Sequence, residues 1–544
     1  MNKERKNVKS SFLLLGYIVS LCIIAIVLSS KGITDESVIS MNGDMPRYLM
    51  NGVYFYDLAS DFPVSNPFAH VSRYFAKYPA LSLGHHPLLL GLAEVPFYAI
   101  FGISIFSARL TIVFFLLLAA LSLFFLVKRI YGNHIAFISA LLFVTTPFII
   151  EYSQIVMAEI PTIALTLFAT YFFYRYCESE RALYAFITAL SLVLSLYSKQ
   201  AAVFIIPIFL FYLLLHRGPK VFLRKELILA SFLIVLLLIP LVFITLKFSR
   251  VNVAWVTNAG FDYKFSFANL IFSFQMLGKE LLTLPVLLIS LISILLSLLR
   301  KDKRSVLFFF WIISCYLSFI ILGLHKNARY VIFWVPVFCV FAATLINACE
   351  YRFWKIGTSI LLLLTISYQF VIAYRQEAEY TDGYEETAQY IVEYKKGESV
   401  LYQEIVDTGY FIFFVRKHDP GRNLIVLRTD KILATSIMDT FAQDRINSRE
   451  QIYEVLQKYG VGYVVLEDKK SESCALEWLR EEVKSDKFIL RKEVLLRSND
   501  DRLNNIPLAI YEYKDYTPPK EGVMLDMDIP LMDDSIQIPF KDLL

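Results

Sequence analysis

Apolar and polar positions divide the chain into two parts. Up to about residue 374, long apolar stretches recur, and most approach the roughly 17–25 residues that a membrane-spanning helix needs. Beyond that point, short β-type runs alternate with amphipathic helical patterns, which is typical of a soluble α/β domain. The pattern therefore predicts a polytopic α-helical membrane domain at residues 1–374 and a soluble α/β domain at residues 375–544.

Eleven apolar segments are predicted to cross the membrane. They are Phe12–Leu28, Ala108–Val127, Ile135–Ile150, Ile160–Phe173, Leu183–Tyr197, Ala201–Leu215, Leu227–Phe243, Leu281–Leu299, Val306–Gly323, Tyr330–Ile346 and Ile356–Ile372. The first follows a basic N-terminus and has no small-residue cleavage site directly after it. We therefore interpret it as a retained membrane helix rather than a signal peptide.

Basic residues fall in every second connection between these segments. The clusters are Lys128-Arg129, Arg175 with Arg181, Arg217 to Lys225, Arg300 to Arg304, and Arg352 with Lys355. Because Lys and Arg concentrate in cytoplasmic loops, this pattern predicts a cytoplasmic N-terminus. The α/β domain then lies on the outer side of a cell (inner or plasma) membrane, and residues 29–107 form the first outer loop.

One further apolar piece, His86–Gly102, does not fit this count. It contains Glu94 and Pro96, and counting it as a span would place the later basic clusters outside. We interpret it as a helix in the outer membrane interface. The alternative, which stays open, is that this segment does span the membrane and that another segment is wrongly counted.

Composition adds little beyond the membrane assignment. The chain is 57% hydrophobic, above the roughly 45–50% of soluble domains. The net charge of +4 gives no reason to expect nucleic acid as a partner. The six cysteines show neither a disulfide framework nor zinc-ligand spacing.

With this topology, a set of ionisable and aromatic side chains gathers near the outer ends of the segments. Its members are Asp44, Arg47, Tyr48, His85, His86, Glu159, Lys199, His325, Arg329 and Tyr330. Charges at membrane helix ends are costly unless hydrated, paired or bound to a ligand. Lys199 and Arg329 taken singly fit snorkelling to the interface. Taken together, the set predicts an outward-facing anion site beside a carboxylate.

The order of these residues resembles the GT-C superfamily of membrane glycosyltransferases, in the branch of the protein O-mannosyltransferases and the lipid A aminoarabinose transferases. The matching elements are Asp44-Met45-Pro46-Arg47-Tyr48, His85-His86-Pro87-Leu88, Ser107-Ala108-Arg109-Leu110, Met157-Ala158-Glu159-Ile160-Pro161, Ser198-Lys199-Gln200 and Arg329-Tyr330. The resemblance covers about residues 10–350. Met45 stands where the family has a second acid, and His86 stands where it has a lysine.

The resemblance implies transfer of a sugar from a polyprenyl-phosphate donor to a lipid, glycan or protein acceptor at the outer face. Asp44 would be the general base, with Glu159 as its rival. Arg329 and Lys199 would hold the lipid phosphate. The other substrate-binding candidates are Arg47, Tyr48, His85, His86, His325 and Tyr330. Whether a divalent cation, Mg²⁺ or Mn²⁺, is used stays open; its ligands would be Asp44 and Glu159. His85 and His86 are not expected to bind a metal together, because adjacent residues do not share a helix face.

Two other functions compete with this interpretation. A transporter or flippase of a lipid-linked sugar would also need cations at the outer face. Transporters usually show internal repeats and charges near the membrane midplane, and the sequence shows neither. A non-catalytic scaffold would have no use for Asp44 and Glu159.

The C-terminal region carries no predicted catalytic constellation. Its predicted strands are Ser399–Ile405, Tyr410–Val415, Leu424–Leu427, Gly462–Leu466, Glu493–Leu496 and Leu508–Tyr513, and its predicted helices are Arg449–Tyr459 and Cys474–Val483. The tail from Thr517 onward is expected to be extended and to lie outside the core. Acceptor binding and structural support both stay open as roles for this domain.

The predicted topology can be tested with reporter fusions. An alkaline phosphatase fused after Leu544 should be active, because the chain should end outside the cytoplasm. The same phosphatase fused at Arg304, in a predicted cytoplasmic loop, is the control and should be inactive. The reverse pair of activities would overturn both the topology and the outer-face placement of the site.

Overall fold

The computed structural model describes residues 2–40, 44–62, 66–247, 266–322, 327–348, 350–403, 409–437, 441–467, 473–529 and 534–544. Its contacts group the chain into two compact units. The first, which we call the helical unit, comprises Met1–Ile33, Gly84–Leu90 and Arg109–Glu377. The second, the α/β unit, comprises Thr34–Leu83, Gly91–Ala108 and Ala378–Leu544. Most of the first outer loop thus groups with the C-terminal residues.

Sixteen described helices precede residue 376. They are α1 (Asn2–Ser29), α2 (Met45–Asp61), α3 (Pro67–Lys77), α4 (Leu89–Phe101), α5 (Ile105–Tyr131), α6 (Asn133–Thr145), α7 (Pro147–Gln154), α8 (Glu159–Ser179), α9 (Ala182–Ser198), α10 (Ile205–Arg217), α11 (Lys225–Lys247), α12 (Phe267–Met276), α13 (Leu284–Leu299), α14 (Val306–Leu322), α15 (Val335–Ala348) and α16 (Arg352–Arg375). Short 3-10 turns at Gln200–Phe204, Lys303–Ser305 and Ala328–Trp334 lead into α10, α14 and α15.

The multi-pass membrane architecture is confirmed. Among the described residues, seven helices are long and apolar enough to cross a membrane, or eight if one bent pair counts as a single span. The seven are Ser11–Ser29, Ile105–Tyr131, Gln200–Arg217, Lys225–Lys247, Lys303–Ile321, Ala328–Ala348 and Arg352–Arg375. Three other predicted spans lie in α8, in α9 and, from Leu284 onward, in α13; these helices are not among the seven.

One predicted span is broken. The segment Ile135–Ile150 forms α6 and α7, which meet at an angle of 59°. Pro147 opens α7, and Thr146 before it adopts an extended conformation with ψ 121°. A proline disfavours the helical conformation of the residue before it and has no N–H for a helical hydrogen bond, so the helix stops and restarts in a new direction.

Helices α8 and α9 form an antiparallel hairpin, because Glu180 directly after α8 has a left-handed conformation with φ 55° and α9 begins two residues later at Ala182. Threonine hydroxyls at 162, 166 and 170 each donate to the carbonyl four residues earlier. These bonds satisfy polar groups in apolar surroundings. The hairpin places the first residue of α8 next to the last residue of α9.

Helix α4 covers most of the ambiguous segment His86–Gly102. It has 13 residues and so is about 20 Å long, short of the roughly 30 Å of a bilayer core. Its Glu94 is fully buried and accepts a hydrogen bond from Tyr98. A Cβ on Gly52 of α2 would lie 1.9 Å from the Glu94 carboxylate, so this glycine allows close packing. Length and packing favour the interfacial interpretation.

The α/β unit contains a five-stranded sheet of order β3-β2-β6-β9-β7. Strands β2 and β3 and strands β2 and β6 are parallel, whereas β9 is antiparallel to β6 and β7. The strands of the unit are β1 (Thr381–Asp382), β2 (Ser399–Gln403), β3 (Ile425–Arg428), β4 (Ala434–Ile437), β5 (Phe441–Asp444), β6 (Val461–Glu467), β7 (Phe488–Leu495), β8 (Arg497–Ser498), β9 (Pro507–Tyr513), β10 (Met524–Ile529) and β11 (Asp534–Pro539). The C-terminal helices are α17 (Tyr384–Glu393), α18 (Tyr410–His418), α19 (Thr429–Ile432), α20 (Glu450–Lys458) and α21 (Cys474–Glu482).

The prediction of a strand at Tyr410–Val415 is wrong, because these residues begin helix α18. All six are apolar and buried. A short continuous apolar run fits a buried strand and a buried helix equally well, and its periodicity does not separate the two. The preceding residue, Gly409, has φ 145°, a conformation that favours glycine.

The prediction for the tail is also wrong. Residues after Thr517 form the antiparallel hairpin of β10 and β11. Leu525, Met527 and Ile538 lie in the same buried cluster as Leu401 and Val464 of the central sheet. The alternation of apolar and acidic residues in 524–529 is that of a strand with one buried face, which the density of prolines and aspartates obscured.

Candidate functional site

Asp44 occupies the position just before helix α2 and is half-buried. Its side chain makes no capping hydrogen bond to the first turn, so the carboxylate is not a helix cap. The next residue, Met45, is fully buried, and its sulfur accepts the backbone N–H of Ser40 at 3.4 Å. Tyr48 is also buried, while Arg47 is half-buried.

The central feature of the helical unit is an ion pair between Glu159 and Lys199. Glu159 is the first residue of α8 and is completely buried, and Lys199 directly follows α9. The Lys199 ammonium donates to Glu159 Oε1 at 2.5 Å. The helix dipole also favours a negative charge at the start of α8. The second carboxylate oxygen, Oε2, has no hydrogen-bond partner among the described residues.

Tyr330 connects this pair to Arg329. The Lys199 ammonium lies 4.9 Å from the centre of the Tyr330 ring, and the Arg329 guanidinium lies 5.1 Å from it. An Arg329 N–H also contacts the Tyr330 hydroxyl at 3.3 Å. Cations over an aromatic face are attracted by the ring electrons. Four predicted site residues from three distant parts of the sequence therefore lie together.

The remaining candidates are two adjacent histidines of the helical unit and one residue outside the described ranges. His85 and His86 are in a non-helical turn, with their ring centres 4.7 Å apart in an edge-to-face arrangement. His86 is buried. His325 lies outside the described residues.

A divalent cation does not fit the described residues. In the ranges that the structure describes, no three His, Cys, Asp or Glu side chains group as a metal ion would require. Glu159, one of the two candidate ligands, already holds Lys199. Binding a cation at Glu159 would place it against that ammonium, which is unfavourable.

Sequence reasoning missed a network of ion pairs in the α/β unit. It joins α2, the N-terminal residues of this unit and the start of α17 to the end of α18 and the turn after it. The pairs are Asp57–Arg416, Asp61–Arg422, Glu36–Lys417 and Glu385–Lys417. The cluster Arg416-Lys417-His418 could have signalled a helix C-terminus, where cations are favourable. The prediction of a strand at Tyr410–Val415 left no helix to end at these three residues.

A cavity of about 320 Å³ lies beside this network, lined in part by Tyr56, Asp57, Arg416 and Arg422. Both arginines are engaged by carboxylates, Arg416 by Asp57 and Arg422 by Asp61. Lys417, a third cation of the lining, is paired with Glu36 and Glu385, so each described cation of the lining has a carboxylate partner.

Comparisons with known proteins agree with this architecture. A family model described as dolichyl-phosphate-mannose-protein mannosyltransferase matches residues 85–244, less than a third of the chain. No curated protein sequence matches the chain.

Two solved structures share the fold over most of the chain. The crystal structure of ArnT from Cupriavidus metallidurans bound to undecaprenyl phosphate has a TM-score of 0.61 and 12% identity, and the match covers 94% of this chain and 100% of that one. The oligosaccharyltransferase AglB from Archaeoglobus fulgidus, in complex with an inhibitory peptide and a dolichol-phosphate, has a TM-score of 0.53 and 15% identity, covering 84% and 70%. At these identities the likeness concerns the fold.

The Glu159–Lys199 pair leads to a stability prediction. Lys199→Met should lower the melting temperature of the detergent-solubilised protein, because an uncompensated buried carboxylate costs about 3–5 kcal/mol. Adding Glu159→Gln should recover part of the loss, since the double variant has no unpaired charge. Lys225→Met, at the exposed start of α11, is the control and should melt like the wild type. Equal melting temperatures for Lys199→Met and wild type would show that the pair contributes nothing to folding.

Proposed function

We propose that this chain, which has the fold of the GT-C superfamily of membrane glycosyltransferases, transfers a sugar from a polyprenyl-phosphate donor to an acceptor at the outer face of the membrane. The observation that carries the proposal is the cluster in the helical unit, where Lys199 and Arg329 flank the ring of Tyr330. These residues also belong to the motifs by which the sequence resembles the superfamily.

The cations suit the leaving group of such a transfer. When the bond between the sugar and the lipid phosphate breaks, the phosphate leaves as an anion and needs positive charge rather than a general acid. Arg329 offers a planar fork that matches phosphate oxygens, and Lys199 offers a compact charge. The solved relatives, ArnT with undecaprenyl phosphate and AglB with dolichol-phosphate, support this donor class.

We assign the general base to Asp44. An acceptor hydroxyl or amine must lose a proton as it attacks the anomeric carbon, and a carboxylate can accept it. Asp44 does not cap its own helix and occupies the acidic position of the first motif. Attack in a single displacement would invert the anomeric centre.

Glu159 is the rival base, and the structure supports a different role for it. Its described partner is the ammonium of Lys199, which it holds at the junction of α8 and α9. We therefore assign to Glu159 the role of holding Lys199 in position while no phosphate is bound. Arg47, Tyr48, His85, His86 and Tyr330 remain candidates for substrate contact.

The flippase alternative has no specific observation in its favour. The charged candidates of the helical unit sit at helix ends: Glu159 opens α8, and Lys199 directly follows α9. Charges near the middle of a span are the usual feature of a transport pathway. The proposal places the enzyme in the inner or plasma membrane with a cytoplasmic N-terminus.

The general base can be tested by removing only its proton-accepting capacity. Asp44→Asn should lower the transfer rate about 10²–10⁴-fold while donor binding is retained, since base catalysis typically contributes that much. The measurement is turnover of purified enzyme with a panel of polyprenyl-phosphate sugars. Asp35→Asn, in the same loop, is the control and should turn over normally. If Glu159→Gln abolishes transfer while Asp44→Asn retains it, the two roles are reversed.

The phosphate clamp can be tested through donor kinetics. Arg329→Ala and Lys199→Ala should each weaken donor use by about 1.5–3 kcal/mol, the value of a charge-assisted hydrogen bond. Arg329→Lys should remain impaired, because a point charge does not replace the planar fork. Arg352→Lys, at the exposed start of α16, serves as the matched control. Wild-type donor kinetics in both alanine variants would favour snorkelling instead.

A further inference from the structure

We infer that the C-terminal part of the α/β unit holds α2, the helix that directly follows Asp44, and that Arg416 is a positioning residue for this base. The inference rests on the proposed role of Asp44. It assigns the C-terminal residues a part in catalysis that requires no contact between Arg416 and substrate. Four observations within the α/β unit carry it.

Helix α18 contacts the start of α2. Gly409, just before α18, lies against Pro46, since a Cβ on this glycine would be 3.0 Å from the Pro46 side chain and 3.2 Å from that of Ala80. The Tyr410 hydroxyl donates to the Ser40 carbonyl at 2.5 Å. The chain on both sides of Asp44 is thus held by the first residues of α18.

The end of α18 holds the other end of α2. Arg416 donates to both oxygens of Asp57, from Nε at 2.9 Å and from Nη2 at 2.5 Å. The Tyr74 hydroxyl of α3 donates to the same carboxylate at 2.6 Å. Both members of the ion pair are almost completely buried. A two-pronged arginine–carboxylate contact fixes orientation as well as distance.

The surroundings of Arg416 keep its guanidinium charged. Burial disfavours the charge on Arg416, but the hydrogen bonds and attraction of Asp57 outweigh it and raise the pKa of the guanidinium. Burial, together with the adjacent Asp57 charge, raises the pKa of the Tyr74 hydroxyl, which therefore stays a donor. Arg416 and Tyr74 therefore both remain hydrogen-bond donors to Asp57 over the physiological pH range.

Two further ion pairs, which are less buried than Arg416–Asp57, also link the end of α18 and the turn after it to the N-terminal residues of the unit. Arg422 makes a two-pronged contact with Asp61, the last residue of α2, at 2.5 and 2.7 Å. Lys417 donates to Glu36, whose carboxylate also accepts the backbone N–H groups at the start of α5. Exposed pairs contribute little stability individually, so the buried Arg416 pair is the main constraint.

These contacts affect catalysis because α2 is a rigid rod. Its 17 residues span about 25 Å, so a tilt at Asp57 displaces the end that carries Asp44. A general base must lie within hydrogen-bond reach of its proton, and a shift of about 1 Å can cost about 10²-fold in rate. A buried ion pair is often no more stabilising than an apolar pair of the same size. Its presence here is explained by the geometry that it imposes on α2.

The test compares two arginines of the same unit in the full-length protein. Arg416→Lys keeps the charge but removes the two-pronged contact. Arg480→Lys, in α21, is the matched control, because this arginine is also buried and its described hydrogen bond goes to the Glu467 carbonyl at the end of β6. For each variant, kcat, KM for the polyprenyl-phosphate donor and melting temperature are measured, with hydrogen–deuterium exchange over residues 45–61.

Arg416→Lys is expected to lower kcat about 10²-fold, with KM for the donor within about twofold of wild type, and to speed exchange in α2. Arg480→Lys is expected to lower the melting temperature without either change. Tyr74→Phe removes one hydrogen bond to Asp57 and leaves the ring unchanged, so it should produce smaller changes in the same direction. It provides the test if Arg416→Lys does not fold.

Unchanged kcat or unchanged exchange in α2 for the folded variants would overturn the inference, as would an equal fall in kcat for Arg480→Lys. Failure of the proposed function looks different. In that case the wild type itself transfers no sugar, and both proposals fall together.

Discussion

A charge at the end of a membrane helix has to be hydrated, paired or bound, and this constraint organises the candidate site. Glu159 lies completely buried at the start of α8, and its negative charge is compensated by Lys199. The hairpin of α8 and α9 brings the two residues together. Lys199 in turn lies over the ring of Tyr330, next to Arg329. Each charged group thus has a charged or aromatic neighbour, and the cluster of two cations and one carboxylate has an excess of positive charge.

The sequence predicted those parts of the fold that depend on local pattern. Apolar runs located the membrane helices, and alternating or buried runs located most strands of the central sheet. The polytopic helical fold that the motifs implied is confirmed by the likeness to ArnT and AglB. Two local patterns led to wrong predictions of secondary structure or packing. Tyr410–Val415 is apolar at every position and so has no period, and the tail after Thr517 carries prolines around a buried hairpin.

Contacts between distant residues were largely beyond sequence reasoning. Topology placed Glu159, Lys199 and Arg329 on one side of the membrane, but their pairing depends on how the helices pack. The Asp57–Arg416 pair joins residues 359 positions apart and has no local signature. The grouping of the first outer loop with residues 378–544 is likewise a property of tertiary contacts. It bears on the two roles left open for the C-terminal region, because the contacts of α18 with α2 are a form of structural support. Under the proposed function, this support also acts on Asp44.

The departure of the first motif from the family pattern has a physical explanation in α2. The family's second acid would fall at Met45, which is fully buried and whose sulfur accepts the Ser40 backbone N–H. A carboxylate there would need a compensating cation or would take up a proton, since burying an unpaired charge is costly. A methionine fills the same space without that requirement. The motif is then left with a single carboxylate, Asp44, and this agrees with the proposal that Asp44 is the general base.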